Sequence, residues 1–199
     1  NYQTAADGTG VDTVEVAARG ANPFTEAVPG AFASFGITLG AGGVDDYIKF
    51  VLGGANLKAQ GVGGPRLQIA QEGSLTGAKE ANLNINTLVP AVVVTDIEAI
   101  EFTLAVDTTV TDLAGATVAG TVTATAVLLG GADAVLATVT LPVRGIAPDG
   151  SLAAAINGEN PLTGGDGGIA YGLSITDYNG GANPNAVPSF TAEFDYLRL

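Results

Sequence analysis

The stretch ATVAGTVTATAVLLGGADAVLATVTLPVRG (116–145) decides the fold class. Its first arm puts Val118, Val122, Ala124, Ala126 and Leu128 on one face. Its second arm does the same with Val135, Ala137, Val139, Leu141 and Val143. Strict alternation is the signature of a strand with one buried face. GGAD (130–133) between the arms reads as a hairpin turn, with Gly130 and Gly131 free to take positive φ. Thr121, Thr123 and Thr125 face Thr138 and Thr140 on the other side, as is ordinary on the open face of a sheet.

The same period of two recurs outward in both directions. AIEFTLAVD (99–107) alternates Ile100, Phe102, Leu104 and Val106 with Glu101, Thr103 and Ala105. ASFGITL (33–39), DDYIKFVL (45–52), PRLQIAQE (65–72) and ANLNIN (81–86) alternate in the same way. Two further strands close the chain. GIAYGLSITDY (168–178) aligns Tyr171, Leu173 and Ile175, and VPSFTAEFDYLRL (187–199) aligns Phe190, Ala192, Phe194 and Tyr196. SLAAAIN (151–157) reads as one short helix, capped by Ser151 and stopped at Asn157-Gly158. About ten strands with Gly-marked turns, and no internal repeat, predict an all-β chain. The expected architecture is a single two-sheet β-sandwich or jelly roll with a separable N-terminal strand. Residues 1–30 read as an N-terminal extension and 31–199 as the sandwich domain.

Composition removes most chemistry. The 199 residues contain no Cys, His, Met or Trp. Thiolate nucleophiles, zinc-thiolate sites and a Ser-His-Asp triad are therefore excluded. With 7 basic against 20 acidic residues the net charge is −13, and the pI is near 4.1. Such a surface repels phosphate backbones and anionic lipid, so neither nucleic acid nor membrane insertion is expected. Mean hydropathy is +0.37, but the densest apolar stretch, LVPAVVV (88–94), is far short of a spanning helix. No sequon for N-glycosylation occurs. The start, which is not Met, reads as that of a mature exported chain with its leader removed, and places it outside the cell or at the cell surface.

The carboxylates remain. Asp45 with Asp46, Asp96 with Glu98, Asp149, Asp166 and Asp177 are the candidates. A glycosidase needs two of them across an aromatic-lined cleft, and this chain is poor in large aromatics. Beside flexible glycines they suit calcium better, but no EF-hand spacing is present, and aspartates that cap their own turns explain them as well. No catalytic residue, no enzyme activity and no cofactor are expected, with a structural calcium left open. GAGG, GVGGP and GGDGG lack the Lys-Ser/Thr of a phosphate loop. Tyr47, Tyr171, Tyr178 and Tyr196 are the aromatics that a carbohydrate platform would use.

One strand stands apart. VDTVEVAARG (11–20) puts Val14, Val16 and Ala18 on one face, and Val11, Glu15 and Ala17 on the other. ANPFTEAVPG follows, carrying Pro23 and Pro29 and long enough to span roughly 30 Å. The strand can complete its own sandwich or a neighbour's. Burying three or four such side chains yields ~5–10 kcal/mol, against an association cost of ~4–15 kcal/mol. A stable polymer therefore needs the strand plus a subunit interface. In architecture, GTGVDTVEVAARG followed by Gly- and Val-rich strands resembles the donor-strand filament proteins of biofilm matrices, the TasA-like fibres and archaeal bundling pili. The resemblance implies a structural homopolymer, a pilus or biofilm filament. By analogy Val11, Val14, Val16 and Ala18 would be the inserted side chains. The competing readings are a secreted calcium- or carbohydrate-binding module and a viral jelly-roll coat, the latter without the basic arm that often lines a packaged genome.

Overall fold

The computed structural model describes residues 2–4, 11–24, 33–40, 47–53, 64–72, 76, 80–156, 170–177 and 192–199. They form two antiparallel sheets packed face to face, an all-β sandwich.

The first sheet is built from β1 (Tyr2–Thr4), β2 (Val11–Ala21), β7 (Ala99–Asp107), β10 (Thr121–Leu129) and β11 (Val135–Thr140), in that order. β12 (Arg144–Gly145) extends it beside β10, and β14 (Phe194–Arg198) lies against β2. The second sheet runs β13 (Ala170–Asp177), β3 (Ala33–Gly40), β4 (Tyr47–Gly53), β5 (Arg66–Glu72), β6 (Glu80–Asn84). Its last four strands form a meander, because short connections between consecutive strands favour neighbouring pairing. β8 (Asp112–Leu113) and β9 (Ala116–Thr117) make a small separate hairpin, and α1 (Ser151–Ile156) forms where the short helix is expected. Asn157 and Gly158, the expected stop, lie outside the described residues.

The alternation read from sequence sets which face is inside. Ile100, Phe102, Leu104 and Val106 on β7, and Val122, Ala124, Ala126 and Leu128 on β10, are all buried. Facing them from the second sheet are Phe35, Ile37 and Leu39 on β3, and Ile48, Phe50 and Leu52 on β4. Phe102 joins the layers. Its ring meets Phe35 edge-on at 5.4 Å and Phe50 edge-on at 5.5 Å.

Three expectations are corrected. In the hairpin, the left-handed residues are Ala132 (φ 55°) and Asp133 (φ 60°), not Gly130 and Gly131. Gly130 is extended, and the turn closes when Ala134 N–H donates to the Gly131 carbonyl at 3.2 Å. Positive φ at both central residues matches the right-handed twist of the arms. Alanine resists that conformation by roughly 1–2 kcal/mol. Ala132→Gly is therefore expected to raise stability by about 0.5–1 kcal/mol, part of the relief being offset by the extra freedom of glycine in the unfolded chain. A rise in the midpoint of chemical unfolding checks this; a fall would contradict the turn geometry.

In the second arm, Val139 and Leu141 are buried but Val135 is 64% and Val143 44% exposed. β11 is the edge of its sheet, its pairing shifts register between Leu128 and Leu129, and the strand stops at Thr140, before Pro142. Finally, Phe194 and Tyr196 do not share a face. A bulge sets Phe194 opposite Gly20, and Tyr196 opposite Arg19. Phe194 turns inward, its ring 6.1 Å from Phe35. Phe190 lies outside the described residues.

The second sheet departs from a simple inside-outside pattern. Val51, Arg66, Gln68 and Ala70 on its other face are buried as well. Gln68 Nε2 donates to Asn82 Oδ1 at 2.9 Å and to Glu80 Oε2 at 3.3 Å. Burial pulls the Arg66 guanidinium below the usual arginine range, and the charge of Glu80 opposes this.

Candidate functional site

The N-terminal strand β2 is an interior strand of its sheet, with neighbours on both sides. On one side it pairs β7 through nine consecutive positions, from Thr13 opposite Asp107 to Ala21 opposite Ala99. On the other side β1 covers its first half and β14 its second, end to end. Its sequence successor, β3, belongs to the opposite sheet. Within the single chain, then, the strand completes its own sandwich.

Val14, Val16 and Ala18 are at most 2% exposed and belong to the main core. They lie opposite Val106, Leu104 and Phe102. The three candidate inserting residues therefore meet on one buried face, as their spacing requires. Val11 pairs Thr4 in the ladder; its side chain lies outside the described residues.

The far end of the strand is anchored by groups whose role sequence reasoning missed. Asn22 Nδ2 donates to the carbonyls of Val94 at 2.8 Å and Ile97 at 2.9 Å. Its Oδ1 accepts from Phe24 N–H at 3.1 Å. Phe24 is buried and stacks edge-on against Phe35 at 5.7 Å. A Cβ on Gly20 would stand 2.9 Å from the Phe194 ring, so glycine lets that ring lie across the strand. The anchored N-terminal element therefore runs from 11 to 24.

On the outer face, Arg19 meets three carboxylates from three elements. Nε lies 2.8 Å from Asp195 on β14, and a terminal nitrogen 3.6 Å from Glu101 on β7. The other terminal nitrogen donates to Asp133 in the β10–β11 turn. The bulge in β14 sets two residues, Asp195 and Tyr196, against Arg19, which brings Asp195 onto it. Asp133 most strongly, and Asp195 with it, raise the guanidinium above its ordinary range against the opposing effect of desolvation. The spacing of Arg19 from its partners, 114 residues in the case of Asp133, leaves no local pattern to find.

The remaining candidates do not converge. Asp96, Glu98 and Asp149 are exposed, while Asp45, Asp46 and Asp166, and the side chain of Asp177, lie outside the described residues. Asp107 and Asp112 cap their own turns, accepting from Thr109 N–H at 2.9 Å and Gly115 N–H at 3.1 Å. Among the described residues no group of three or more carboxylates could hold a metal ion. Tyr47 is on the face of β4 opposite Ile48 and Phe50. Tyr171 is on the core-side face of the edge strand β13, opposite Leu39. Tyr196 is on the outer face of the first sheet, under Arg198 at 5.3 Å. These three make no common platform, and Tyr178 lies outside the described residues. Among the described residues no helix is long and apolar enough to cross a membrane.

No protein-family model matches the chain, and neither the curated proteins nor the solved structures hold a significantly similar one.

Proposed function

We propose that this protein is a structural subunit of an extracellular filament or surface assembly, in which the N-terminal strand of one copy completes the first sheet of the next. The observation that carries this reading is the position of β2. It is an interior strand supplied from the N-terminal end of the chain, and its onward connection leads to the other sheet. A neighbour's β2 would make the same ladder to β7 and bury the same Val14, Val16 and Ala18.

Because the contacts are the same in both arrangements, they nearly cancel in the exchange. Within one chain the strand is held at high effective concentration, on the order of millimolar for a short tether. Exchange then needs a subunit interface to offset the association cost of ~4–15 kcal/mol. Assembly is therefore expected to be concentration-dependent, and slow once a chain has closed on itself.

A disulfide lock tests this, since the chain has no cysteine of its own. Ala17 lies directly opposite Thr103, within the Cα separation that a disulfide spans. The oxidised Ala17→Cys/Thr103→Cys double variant, closed within one chain, is expected to stay monomeric at concentrations where the unmodified chain forms filaments seen by electron microscopy. Reduction should restore assembly. Filaments from the locked monomer, or a dispersed unmodified chain at every concentration, would contradict the proposal.

A further inference from the structure

We infer that Arg19 helps set the register in which β2 enters the acceptor sheet of a second copy of this chain, by bridging carboxylates on both walls of the groove; this rests on the exchange proposed above. With β2 absent, the groove lies between β7 and β14. Glu101 stands on one wall, Asp195 on the other, and Asp133 in the turn beyond. All three point to the place of one guanidinium, in a chain with only 7 basic residues.

The apolar face alone leaves the register underdetermined in one direction. A slip of one residue is forbidden because it turns Val14, Val16 and Ala18 outward. A slip of two residues, ~7 Å, keeps the faces. In one direction it carries Asp12 into the core position of Val14, opposite Val106, and burying that carboxylate excludes it. In the other, Val16 takes the place of Val14, Ala18 that of Val16 and Gly20 that of Ala18. That frame trims only a few methyl groups from the apolar face, but it lifts Asn22 off the Val94 and Ile97 carbonyls and sets it in the place of Gly20, where a Cβ would stand 2.9 Å from the Phe194 ring. Charge opposes it as well. Arg19 moves from Glu101 to Thr103, away from Asp133 and Asp195, and Glu15 moves from Ala105 to Asp107. Arg19 thus joins Gly20 and Asn22 in rejecting the frame that the apolar face rejects least, which is how charges add specificity at an interface.

The test reads register between chains. A donor carrying Ala17→Cys is mixed with acceptors carrying either Thr103→Cys, the observed frame, or Ala105→Cys, the slipped one. The inter-chain disulfide is then quantified. With Arg19 present, the Thr103 acceptor should give at least about tenfold more product than the Ala105 acceptor. Arg19→Gln in the donor should lower that preference by at least about threefold. Arg19→Glu should nearly abolish capture at Thr103, and an acceptor with Glu101→Lys and Asp133→Lys should restore it. That restoration excludes simple misfolding of the donor. An unchanged tenfold preference with Arg19→Gln would overturn the role of Arg19 while leaving exchange intact. If no pair of chains cross-links, exchange fails instead. The same two frames compared within single chains, as Ala17→Cys/Thr103→Cys and Ala17→Cys/Ala105→Cys, then decide whether Arg19 sets register at all.

Discussion

Replacing Phe102 with alanine is expected to cost about 3–5 kcal/mol, the range for removing a large buried ring. Phe102 is fully buried on β7 and touches Phe35 and Phe50, which belong to two strands of the opposite sheet. Both contacts are edge-to-face, with interplanar angles of 89° and 88°. Each such pair adds roughly 0.5–1.5 kcal/mol beyond the area it buries. The cavity would open where the two sheets meet, and strands held by nine-position ladders cannot collapse to fill it. For a chain of this size a loss of that order lowers the thermal midpoint by about 10 °C. Phe102→Leu, which keeps most of the volume, should lose much less. Chemical unfolding of both variants checks the pair. A loss under about 1 kcal/mol for the alanine variant would mean that this ring does not join the sheets.

Gly36→Ala is expected to be as severe for a different reason. A Cβ at Gly36 would stand 2.1 Å from the Phe50 carbonyl oxygen and 2.8 Å from the Val51 Cα. Both are backbone atoms of β4, which pairs β3 at this position. No side chain can swing aside, so the strands must part and the ladder must break. An ordinary Gly→Ala change in a strand stabilises by about 0.4–1 kcal/mol through the unfolded chain. Gly172→Ala is the internal control. Among the described residues its Cβ would meet only the Thr38 methyl, at an ordinary 3.7 Å. Gly36→Ala should lose more than about 3 kcal/mol or fail to accumulate as folded protein, the cost of overpacked backbone exceeding that of an overpacked side chain. Gly172→Ala should stay within about 1 kcal/mol of the parent. Equal behaviour of the two would contradict the close approach of β3 and β4.

Where periodicity is strong and local, sequence and structure agree. AIEFTLAVD (99–107) is β7 from first residue to last, and the arms around 130–133 pair as expected, down to the Thr125 and Thr140 hydroxyls 3.1 Å apart. The buried face of β2 was legible too, because Val14, Val16 and Ala18 follow a period of two. Its neighbours were not. Nothing local tells a strand at 11–21 that it will lie between residues 99–107 and 194–198. The bulge at Asp195 breaks alternation without a glycine to mark it. Arg66 and Gln68 look solvent-facing in PRLQIAQE, yet they are buried. Alternation identifies a second face without saying whether anything covers it. Arg19 reads as an ordinary outward charge until three chain segments bring their carboxylates around it.

The central claim is that β2 passes from one copy to the next. Isotope mixing tests it most directly. Unlabelled and ¹⁵N-labelled Ala17→Cys/Thr103→Cys chains are mixed while reduced, allowed to assemble, and then oxidised. The disulfide-linked peptides are weighed by mass spectrometry. Exchange predicts mixed light–heavy pairs making up about half of the linked peptides at equal input. Linked peptides that are only light–light or heavy–heavy would mean that each chain keeps its own strand, and would contradict the account.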